Sequence, residues 1–416
     1  MRIAVFTDNF YPELGGIQDS IAATASELGR RGHRLMIVAP SASRRDYARL
    51  GRAPAELDLG PNVQIRRIAA VHVPSSSQQS RLAMPTGRRW RELGDFRPEL
   101  VHSHTFLGAG LEAVRAARRL GVPLVGTNHW SVGAFDVYVP FGRRVFRHVS
   151  SRLVARYYQN CAWVSAPLRF TIDDMRANGL RAQARVISNP IDTTLFRPVS
   201  PSVKRSLKAR LNLGSEVIVY AGRLGREKRI DVLIRALAEV HKQLPHVSLV
   251  VAGHGSDRAK LEKLAQELGV GRSVQFRGTL DHRGLADLFA AADLFAIAST
   301  SETQSMVLLQ AMASGLPVVG ARSGGLVEHV PATVGRLAEP QDPASFSNAM
   351  ASMLSDSRSR DVASRAARTF AEGFSISSVV DAWEDLYGRV ISGDSGIEAS
   401  TTVNSEKVIE RTTTCA

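Results

Sequence analysis

The sequence predicts an α/β protein with two consecutive doubly wound domains, each a parallel sheet covered by helices. Short apolar runs alternate with segments of helical period along most of the 416 residues, which is typical of parallel sheets. This alternation pauses after Pro198 and begins again at Val217. A soft prior of about 150 residues per domain also favours more than one domain. Because ligands bind beyond the carboxyl ends of such strands, the two domains are expected to face each other across one cleft.

The first domain is predicted to span residues 1–198. A helix over Gln18–Arg31 ends at Gly32, and another over Leu111–Leu120 ends at Gly121, because glycine commonly terminates helices. The predicted strands are Arg2–Phe6, Leu35–Ala39, Val63–Ile68, Leu100–His102, Leu124–Gly126, Ala162–Ser165 and Arg185–Ile187.

The second domain is predicted to span residues 199–372 and to begin with a polar linker at Ser200–Lys208. Its clearest helix, Lys228–Leu244, carries apolar residues at the i, i+3, i+4, i+7 spacing. A C-terminal helix is predicted within residues 373–391, followed over 392–416 by a disordered tail rich in Ser, Thr and charge. The predicted strands are Val217–Ala221, Val247–Ala252, Val274–Phe276, Leu294–Ala298 and Pro317–Val319.

The composition excludes several classes of protein. Hydrophobic residues make up 44% of the chain and charged residues 22%, so a wholly disordered or fibrous chain is excluded. No apolar run approaches the roughly 18 residues needed to span a bilayer, and the first strand lacks the features of a secretory signal. Neither cysteine, Cys161 or Cys415, has the spacing of a zinc or redox motif. We therefore expect a cytoplasmic protein without a metal site.

The net charge of +14 belongs almost entirely to the first half of the chain. Through Pro198 there are 28 arginines, no lysine and 15 acidic residues, a net charge of +13; the remaining 25 basic and 24 acidic residues give +1. An anionic partner, either nucleic acid or a membrane surface, would explain this asymmetry, and so would arginine-rich solvated helix faces. Nucleic acid is not expected, because no zinc finger, RNP-like strand or helix-turn-helix spacing is visible.

Glycine-rich turns follow the first strand of each domain. Gly15 and Gly16 precede a helix, where backbone N–H groups can meet anionic oxygens; a plain turn is the alternative. In the second domain the first strand leads into a loop that carries Arg223 and Lys228. A guanidinium and an ammonium suit a diphosphate, whereas a salt-bridged helix start involving Glu227 is the alternative.

Three further segments carry candidate functional residues. Gly253 and Gly255 follow a strand and either border a nucleotide or form a simple turn. Glu302 and Gln310 lie on one predicted helical segment, and because eight helical residues rise about 12 Å they are expected at opposite ends of an extended ligand. The alternatives are that the Glu302 carboxylate stabilises a helix N-terminus and that Gln310 is a surface amide. His129 follows a strand of the first domain. Its alternative roles are a base, an electrostatic group, a hydrogen-bond donor that orients the acceptor, or a structural histidine.

Together these segments resemble glycosyltransferase family 4, a group of retaining enzymes of GT-B fold that use nucleotide sugars. The resemblance covers nearly the whole chain up to the tail. It rests on motifs in the expected order: the Tyr-Pro-x-x-Gly-Gly loop at Tyr11–Gly16, His129, Asn189–Asp192, Gly222–Lys228, Gly253–Gly255, and the Glu302 segment that ends Ala-Ser-Gly-Leu-Pro-Val-Val.

The resemblance implies a role for each motif residue. Arg223 and Lys228 would hold the donor diphosphate and stabilise charge on the departing nucleotide, and Gly16 would offer its N–H to the same phosphates. Glu302 would be the first carboxylate of the family's Glu-x7-Glu motif, near the donor sugar. Gln310 replaces the second carboxylate, which usually holds the ribose, and an amide cannot supply a charge-assisted bond.

The resemblance also implies the chemistry. His129 would lie close to the reacting carbon, and the acceptor would attack the face from which the nucleotide leaves, assisted by a donor phosphate oxygen. No Asp-x-Asp occurs in the chain, so the reaction is expected to be independent of metal. A nucleotide-sugar-binding protein that has lost catalysis is the alternative that Gln310 leaves open.

The acceptor is expected to be a membrane lipid. Glu302-Thr303-Gln304, in place of the commoner Glu-Gly-Phe, is similar to bacterial glycosyltransferases that act on diacylglycerol, and phosphatidylinositol mannosyltransferases share the same N-terminal pattern. We expect a UDP- or GDP-hexose donor, no other cofactor, and diacylglycerol or a glycolipid as acceptor. A soluble saccharide, such as a capsule or exopolysaccharide intermediate, is the alternative acceptor.

Two basic segments are expected to contact the anionic inner face of the cell membrane. Both mix arginines with apolar side chains, as interfacial segments do. The alternative is an ordinary helix face with solvated arginines. The first segment contains Arg81, Arg88, Arg89 and Arg91 with Leu82, Met84 and Trp90, and the second contains Arg143, Arg144, Arg147, Arg152 and Arg156 with Val145, Phe146, Leu153, Tyr157 and Tyr158.

Overall fold

The chain folds into two compact units. Among the described residues, the first comprises Met1–Pro190 and 376–394, and the second comprises Ile191–Ser375. The predicted tail lies outside the described residues from position 395 onward. Within the described ranges, every helix is too short or too polar to cross a membrane. The computed structural model describes residues 1–13, 15–49, 53–72, 81–84, 90–130 and 142–394.

The strands of the first unit are β1 (Arg2–Phe6), β2 (Arg34–Pro40), β3 (Val63–Ile68), β4 (Ala70–His72), β5 (Arg81–Ala83), β6 (Leu100–Ser103), β7 (Leu124–Thr127), β8 (Trp163–Ala166) and β9 (Gln183–Val186). Seven of them form a parallel sheet in the order β3-β2-β1-β6-β7-β8-β9, while β4 and β5 form an antiparallel hairpin. The strand order reverses between β1 and β6, so the carboxyl ends of these strands mark the binding edge of the sheet.

Helices connect the strands of the first unit. Alanine-rich α4 packs closely, since Ala109, Ala113 and Ala116 are all buried, and it ends at Gly121 in the left-handed conformation that glycine adopts without strain. These helices are α1 (Gly16–Arg30), α2 (Arg44–Arg49), α3 (Trp90–Phe96), α4 (Gly108–Leu120), α5 (Arg143–Tyr158) and α6 (Arg169–Ala177).

The second unit contains a six-stranded parallel sheet. Its strands are β10 (Glu216–Ala221), β11 (Val247–Ala252), β12 (Val274–Gly278), β13 (Leu294–Ile297), β14 (Val318–Ala321) and β15 (Gly335–Ala338). They lie in the order β12-β11-β10-β13-β14-β15, which reverses between β10 and β13. The two sheets confirm the predicted pair of doubly wound folds.

The helices of the second unit cover its sheet, whose strand β11 is buried along its whole length, as parallel strands with helices on both faces are. They are α7 (Pro201–Arg210), α8 (Ile230–Val240), α9 (Arg258–Glu267), α10 (His282–Ala291), α11 (Met306–Ala313), α12 (Gly325–His329), α13 (Pro343–Ser355) and α14 (Ser357–Glu372).

The last described helix, α15 (Ile376–Ser392), follows the second unit in sequence but belongs to the first. Its buried residues, Trp383 and Tyr387 among them, join the core that contains Ile3 and Val125. Arg31 holds the exposed side of the helix through Asp381 and Glu384, at 2.6 and 2.5 Å. The first unit is therefore completed by a segment that lies far from it in the sequence.

Several predicted boundaries differ from the structure. The first unit ends at Pro190 rather than Pro198, because Ile191 donates its N–H to the Phe374 carbonyl at 2.8 Å and packs, with Phe196, into the core of the second unit. The predicted Lys228–Leu244 helix is shorter: a 3-10 turn at Arg226–Lys228 precedes α8. Between them Arg229 is left-handed, with φ of 50°, which breaks the helix.

Candidate active site

The loop after β10 presents the two predicted cations of the second unit. Gly222 has φ of +145°, a conformation that side chains disfavour, and it turns the chain out of the strand. Arg223 follows at once, and Lys228 ends the short 3-10 turn. Arg229 keeps its left-handed backbone while its guanidinium binds both oxygens of Asp231 at 3.0 Å. The loop therefore carries Arg223 and Lys228 at the carboxyl edge of the sheet.

The Gly253–Gly255 turn packs directly against this loop. Leu224 donates its N–H to the His254 carbonyl at 2.9 Å, and Gly222 donates to the Ala252 carbonyl at 2.9 Å. A Cβ at Gly253 would lie 1.8 Å from the Gly222 oxygen, and one at Gly255 would lie 2.3 Å from the Leu224 oxygen. Both glycines are thus required for the approach of two backbones. Their predicted contact with a nucleotide stays a prediction.

We expect Gly253→Ala to destabilise the second unit by about 3 kcal/mol, because the new Cβ combines overlap with a positive φ. Gly214→Ala is the matched control, since its Cβ would meet Ser248 Oγ at an ordinary 3.6 Å. Urea unfolding of both variants measures the difference. Equal stability of the two variants would show that the turn does not need the close approach.

The structure places Glu302 on a loop rather than on a helix. This loop follows β13, and α11 begins only at Met306, where the Ser305 hydroxyl accepts from the Leu308 N–H. The expected 12 Å helical separation of Glu302 and Gln310 is therefore wrong, because only part of the intervening chain is helical. The N-cap of α11 is Ser305, and the Glu302 carboxylate is instead bonded to Lys228.

Each predicted cation of the second unit is paired with a carboxylate. Lys228 Nζ donates to Glu302 Oε1 at 2.6 Å, and Arg223 donates to Glu227 Oε1 at 2.7 Å. The loops that carry the two pairs are in contact, since Ser299 Oγ donates to the Glu227 carbonyl at 3.4 Å. The sequence placed Lys228 and Glu302 74 residues apart with no indication of direct contact. The structure brings them together at the reversal point of the sheet.

Gln310 lies on α11 and is not the surface amide that was considered as an alternative. The residue is only 6% exposed, and its side chain makes no hydrogen bond to any described residue; only its backbone carbonyl accepts, from Ser314. A buried amide without partners loses free energy on folding. A polar ligand at this position would supply hydrogen bonds that the described residues do not.

The predicted glycine loop of the first unit begins α1. Gly15 is extended, with φ of 163°, and no side chain caps the helix that starts at Gly16. The loop also carries Glu13, which pairs with Arg81 at 3.0 Å. Burial raises the pKa of Glu13 to about 7 although the Arg81 charge lowers it. Because Arg81 is itself buried, its predicted place in a membrane-contacting segment is wrong.

His129 lies beyond the end of β7 in the first unit. The residue is buried, and its Nε2 hydrogen-bonds with His104 Nδ1 at 2.9 Å. Burial lowers the pKa of His129 to about 4, so the ring is neutral at pH 7. A neutral ring can donate or accept a proton but cannot act as a fixed positive charge. The roles expected for His129 from the sequence stay predictions, and its burial favours those that need a neutral ring.

The structure thus divides the predicted residues between the units. The second unit brings together Arg223, Lys228 and Glu302, and the first unit carries Gly15, Gly16 and His129 at its own sheet edge. His104 was missed by the sequence reasoning, although the His-x-His spacing of His102 and His104 at a strand end was visible. No group of three or more potential metal-ligating side chains occurs among the described residues.

The chain matches known families over most of its length. Residues 14–195 match Glycosyltransferase Family 4, and residues 204–370 match Glycosyl transferases group 1. Among solved structures, Anabaena HepE in complex with UDP-glucose has a TM-score of 0.73 at 20% identity, covering 93% of this chain and 99% of that one. That likeness shows the fold.

Two relatives are similar in sequence. The alpha-monoglucosyldiacylglycerol synthase of Streptococcus pneumoniae is 28% identical over 77% of this chain and 70% of its own length. The GDP-mannose-dependent alpha-mannosyltransferase of Mycobacterium tuberculosis is 30% identical over 78% of this chain and 80% of its own length. With the two doubly wound units and the paired cations after β10, these matches show that the chain belongs to glycosyltransferase family 4 and is a glycosyltransferase of GT-B fold.

Proposed function

We propose that the enzyme transfers a hexose from a UDP- or GDP-sugar to a hydroxyl group of a membrane lipid, such as diacylglycerol or a glycolipid. The names of the two relatives support each half of this proposal, since one makes a glucosyldiacylglycerol and the other depends on GDP-mannose. The observation that carries the choice of a lipid acceptor is an exposed apolar stripe, bordered by arginines, on α5.

The donor diphosphate would bind at Arg223 and Lys228. When no ligand is bound, each of these side chains is paired with a carboxylate. Neither cation therefore loses water without a partner of opposite charge. A diphosphate would compete for Lys228, and Glu302 would then accept hydrogen bonds from hydroxyls of the hexose. Charge-assisted bonds of this kind are stronger than neutral ones, and they strengthen further as charge develops on the departing nucleotide.

The proposed reaction retains the anomeric configuration. The bond between the anomeric carbon and the diphosphate oxygen breaks, and a bond from that carbon to the acceptor oxygen forms on the same face. The acceptor proton passes to the departing diphosphate. His129 would orient the acceptor or the hexose as a neutral hydrogen-bonding group, consistent with its lowered pKa. These bond changes and the proton transfer require neither a covalent intermediate with the enzyme nor a metal ion.

The α5 stripe runs along one side of the helix. Val145, Val149 and Leu153 recur every four residues and are 68%, 50% and 62% exposed, and Phe146 lies beside them at 38%. Four-residue spacing places side chains on one helix face. The other predicted apolar residues of this segment, Tyr157 and Tyr158, are buried in the core and do not contribute, so the surface is narrower than the sequence predicted.

Arginines border the stripe. Arg144, Arg152 and Arg156 are exposed and make no ion pair or hydrogen bond with a described residue. Exposed apolar side chains bordered by unpaired cations suit the boundary between lipid headgroups and acyl chains, where each arginine near an anionic surface adds about 1 kcal/mol. Arg91 and Met84 of the other predicted segment are exposed; Arg88 and Arg89 lie outside the described residues.

We expect the enzyme to float with vesicles containing phosphatidylglycerol and to be released by salt, which screens such attraction. Leu153→Glu should weaken flotation several-fold, because it places a carboxylate in the stripe facing an anionic surface. Val362→Glu on α14 is the matched control, since Val362 is a comparably exposed apolar residue in the second unit. Flotation of Leu153→Glu equal to that of the wild type would contradict the proposed surface.

The acceptor itself is tested with a panel of nucleotide sugars. Each donor is incubated with a membrane lipid extract or with soluble glycans, and the products are identified by mass spectrometry. A glycosylated lipid supports the proposal. A product found only on soluble glycans would replace the lipid with the saccharide acceptor considered from sequence.

A further inference from the structure

The loop that carries Glu302 is held by α12 and the turn before it. Ser323 Oγ donates to the Thr300 carbonyl at 3.2 Å, and the Gly325 N–H donates to the Glu302 carbonyl at 3.0 Å. A Cβ at Gly324 would lie 3.1 Å from the same Glu302 oxygen. The backbone at Glu302 is thus fixed from one neighbouring segment, while its carboxylate takes part in the candidate active site.

His329, the last residue of α12, adds a side-chain contact to this support. Its Nε2 atom lies 3.0 Å from the amide nitrogen of Gln304, two residues beyond Glu302. The ring is buried and packs near Phe374 and Phe370, with ring centroids 5.6 and 6.1 Å away. Burial lowers the pKa of His329 to about 4, so the imidazole is neutral at pH 7. The proposed transfer mechanism does not use this ring.

The Gly325 carbonyl fixes the tautomer of His329. Nδ1 of the ring lies 3.3 Å from this oxygen, one turn back along α12. A carbonyl oxygen only accepts, so Nδ1 carries the single proton of the neutral ring and Nε2 is an acceptor. Gln304 therefore presents its amide N–H to Nε2, because its amide oxygen there would face a second acceptor. The hydrogen bond runs from Gln304 to His329.

We propose that His329 is a positioning residue for Glu302: by accepting the hydrogen bond from Gln304, it fixes the end of the loop that carries this carboxylate. Positions 300, 302 and 304 are then each bonded to the segment 323–329. A loop held at alternate residues keeps the carboxylate in place before the donor arrives, which removes a rearrangement from the reaction step. The effect on transfer rests on the proposed function of Glu302, whereas the direction of the bond rests only on the geometry of the second unit.

The first test compares His329→Phe with His329→Gln. Phenylalanine keeps a ring in the aromatic surroundings but offers no acceptor, whereas glutamine places an amide oxygen near the position of Nε2. We expect His329→Phe to lower kcat about tenfold, the size expected for one lost hydrogen bond, and His329→Gln to restore much of it. His241→Phe, which removes a histidine bonded to the Val247 carbonyl in the same unit, should leave kcat unchanged. Wild-type kcat in His329→Phe would overturn the proposal.

A double-mutant cycle separates positioning from a merely structural role. His329→Phe should lower kcat in the wild-type background but cause no further loss in Glu302→Gln, while its effect on thermal unfolding should be similar in both. An equal fold loss of kcat in both backgrounds would show that His329 does not act through Glu302. Where His329→Phe fails to fold, Gln304→Met removes the same bond from its other end, and wild-type kcat in that variant counts equally against the proposal.

Nitrogen-15 NMR tests the hydrogen bond without donor or transfer. We expect the wild-type His329 ring to be protonated at Nδ1, and the Gln304 amide protons to exchange with water faster in His329→Phe than in His241→Phe. A wild-type ring protonated at Nε2, or Gln304 exchange that is equal in both variants, would overturn the bond and the positioning with it. Full activity of Glu302→Gln would instead refute the proposed function of Glu302, and the NMR result would still decide whether His329 holds the loop.

Discussion

Lys228→Met is expected to lower the rate of sugar transfer by a factor on the order of 10² to 10³, the usual loss when one fixed group that stabilises developing charge is removed. Methionine preserves much of the length of the side chain but not its charge, so charge on the departing diphosphate is no longer compensated. The protein should remain folded. Steady-state transfer assays with each active donor, together with circular dichroism, measure both effects. Arg223→Met is expected to act in the same direction.

A matched control separates catalysis from the loss of an ion pair. Lys208 makes a similar bond to Asp293 at 2.6 Å in the same unit, and Asp293 accepts from the Val217 N–H near the start of β10, away from the loop that follows this strand. Lys208→Met removes a lysine–carboxylate pair of similar length and burial and should leave transfer unchanged. Wild-type turnover in Lys228→Met would refute the proposed role of the cation. Equal losses in both lysine variants would mean that stability, and not charge on the diphosphate, explains the effect.

Gln310→Glu is expected to change donor affinity and stability in opposite directions. A carboxylate at this buried position has no described partner, so its burial cost should destabilise the free enzyme at neutral pH. Hydroxyls of a bound ribose would meet it with charge-assisted bonds, which should tighten donor binding about tenfold. Calorimetry measures the binding, and thermal unfolding measures the stability with and without the nucleotide.

The control for this prediction is Gln266→Glu on α9, where the side chain is exposed and the added charge should alter neither quantity. Unchanged donor affinity in Gln310→Glu, combined with lower stability, would place the amide outside the ribose site. Tighter binding with no loss of stability would contradict the burial cost expected for a carboxylate at position 310.

Most of the fold followed from local patterns, and the failures have physical causes. β1 and β11 match their predicted bounds because each is a mostly apolar run, broken only by Arg2 and Ser248, that the sheet buries. β15 was not predicted, since Gly-Arg-Leu-Ala shows no strand periodicity. This strand forms because Gly335 can approach Val318 closely: a Cβ added at position 335 would lie 2.0 Å from the Val318 oxygen. The return of α15 to the first unit could not be predicted, because its partners, such as Arg31, lie about 350 residues away.

The candidate site was predictable residue by residue but not as a geometry. Position after a strand and charge indicated Arg223 and Lys228, a polar loop before an apolar helix indicated Glu302 and Gln310, and the resemblance added their roles. Sequence spacing could not show that Lys228 contacts Glu302, because a loop rather than a helix carries Glu302. The close approach that requires Gly253 is likewise a property of two backbones, which a single local motif does not reveal.

The basic segments show why charge and apolar content alone are insufficient. Val145 and Leu153 are exposed as membrane contact requires, but Tyr157 is buried on the same helix. Arg81 is buried with Glu13. The sequence identifies a helix with both kinds of residue, whereas only the three-dimensional packing decides which face the core occupies.

A crystal structure of the enzyme with bound UDP-glucose or GDP-mannose would show directly whether Arg223 and Lys228 hold the donor diphosphate. We expect diphosphate oxygens within about 3 Å of the Arg223 guanidinium and Lys228 Nζ, with the Lys228–Glu302 bond lengthened or shared. A diphosphate bound elsewhere, with both lysine and arginine still paired only to their carboxylates, would contradict it.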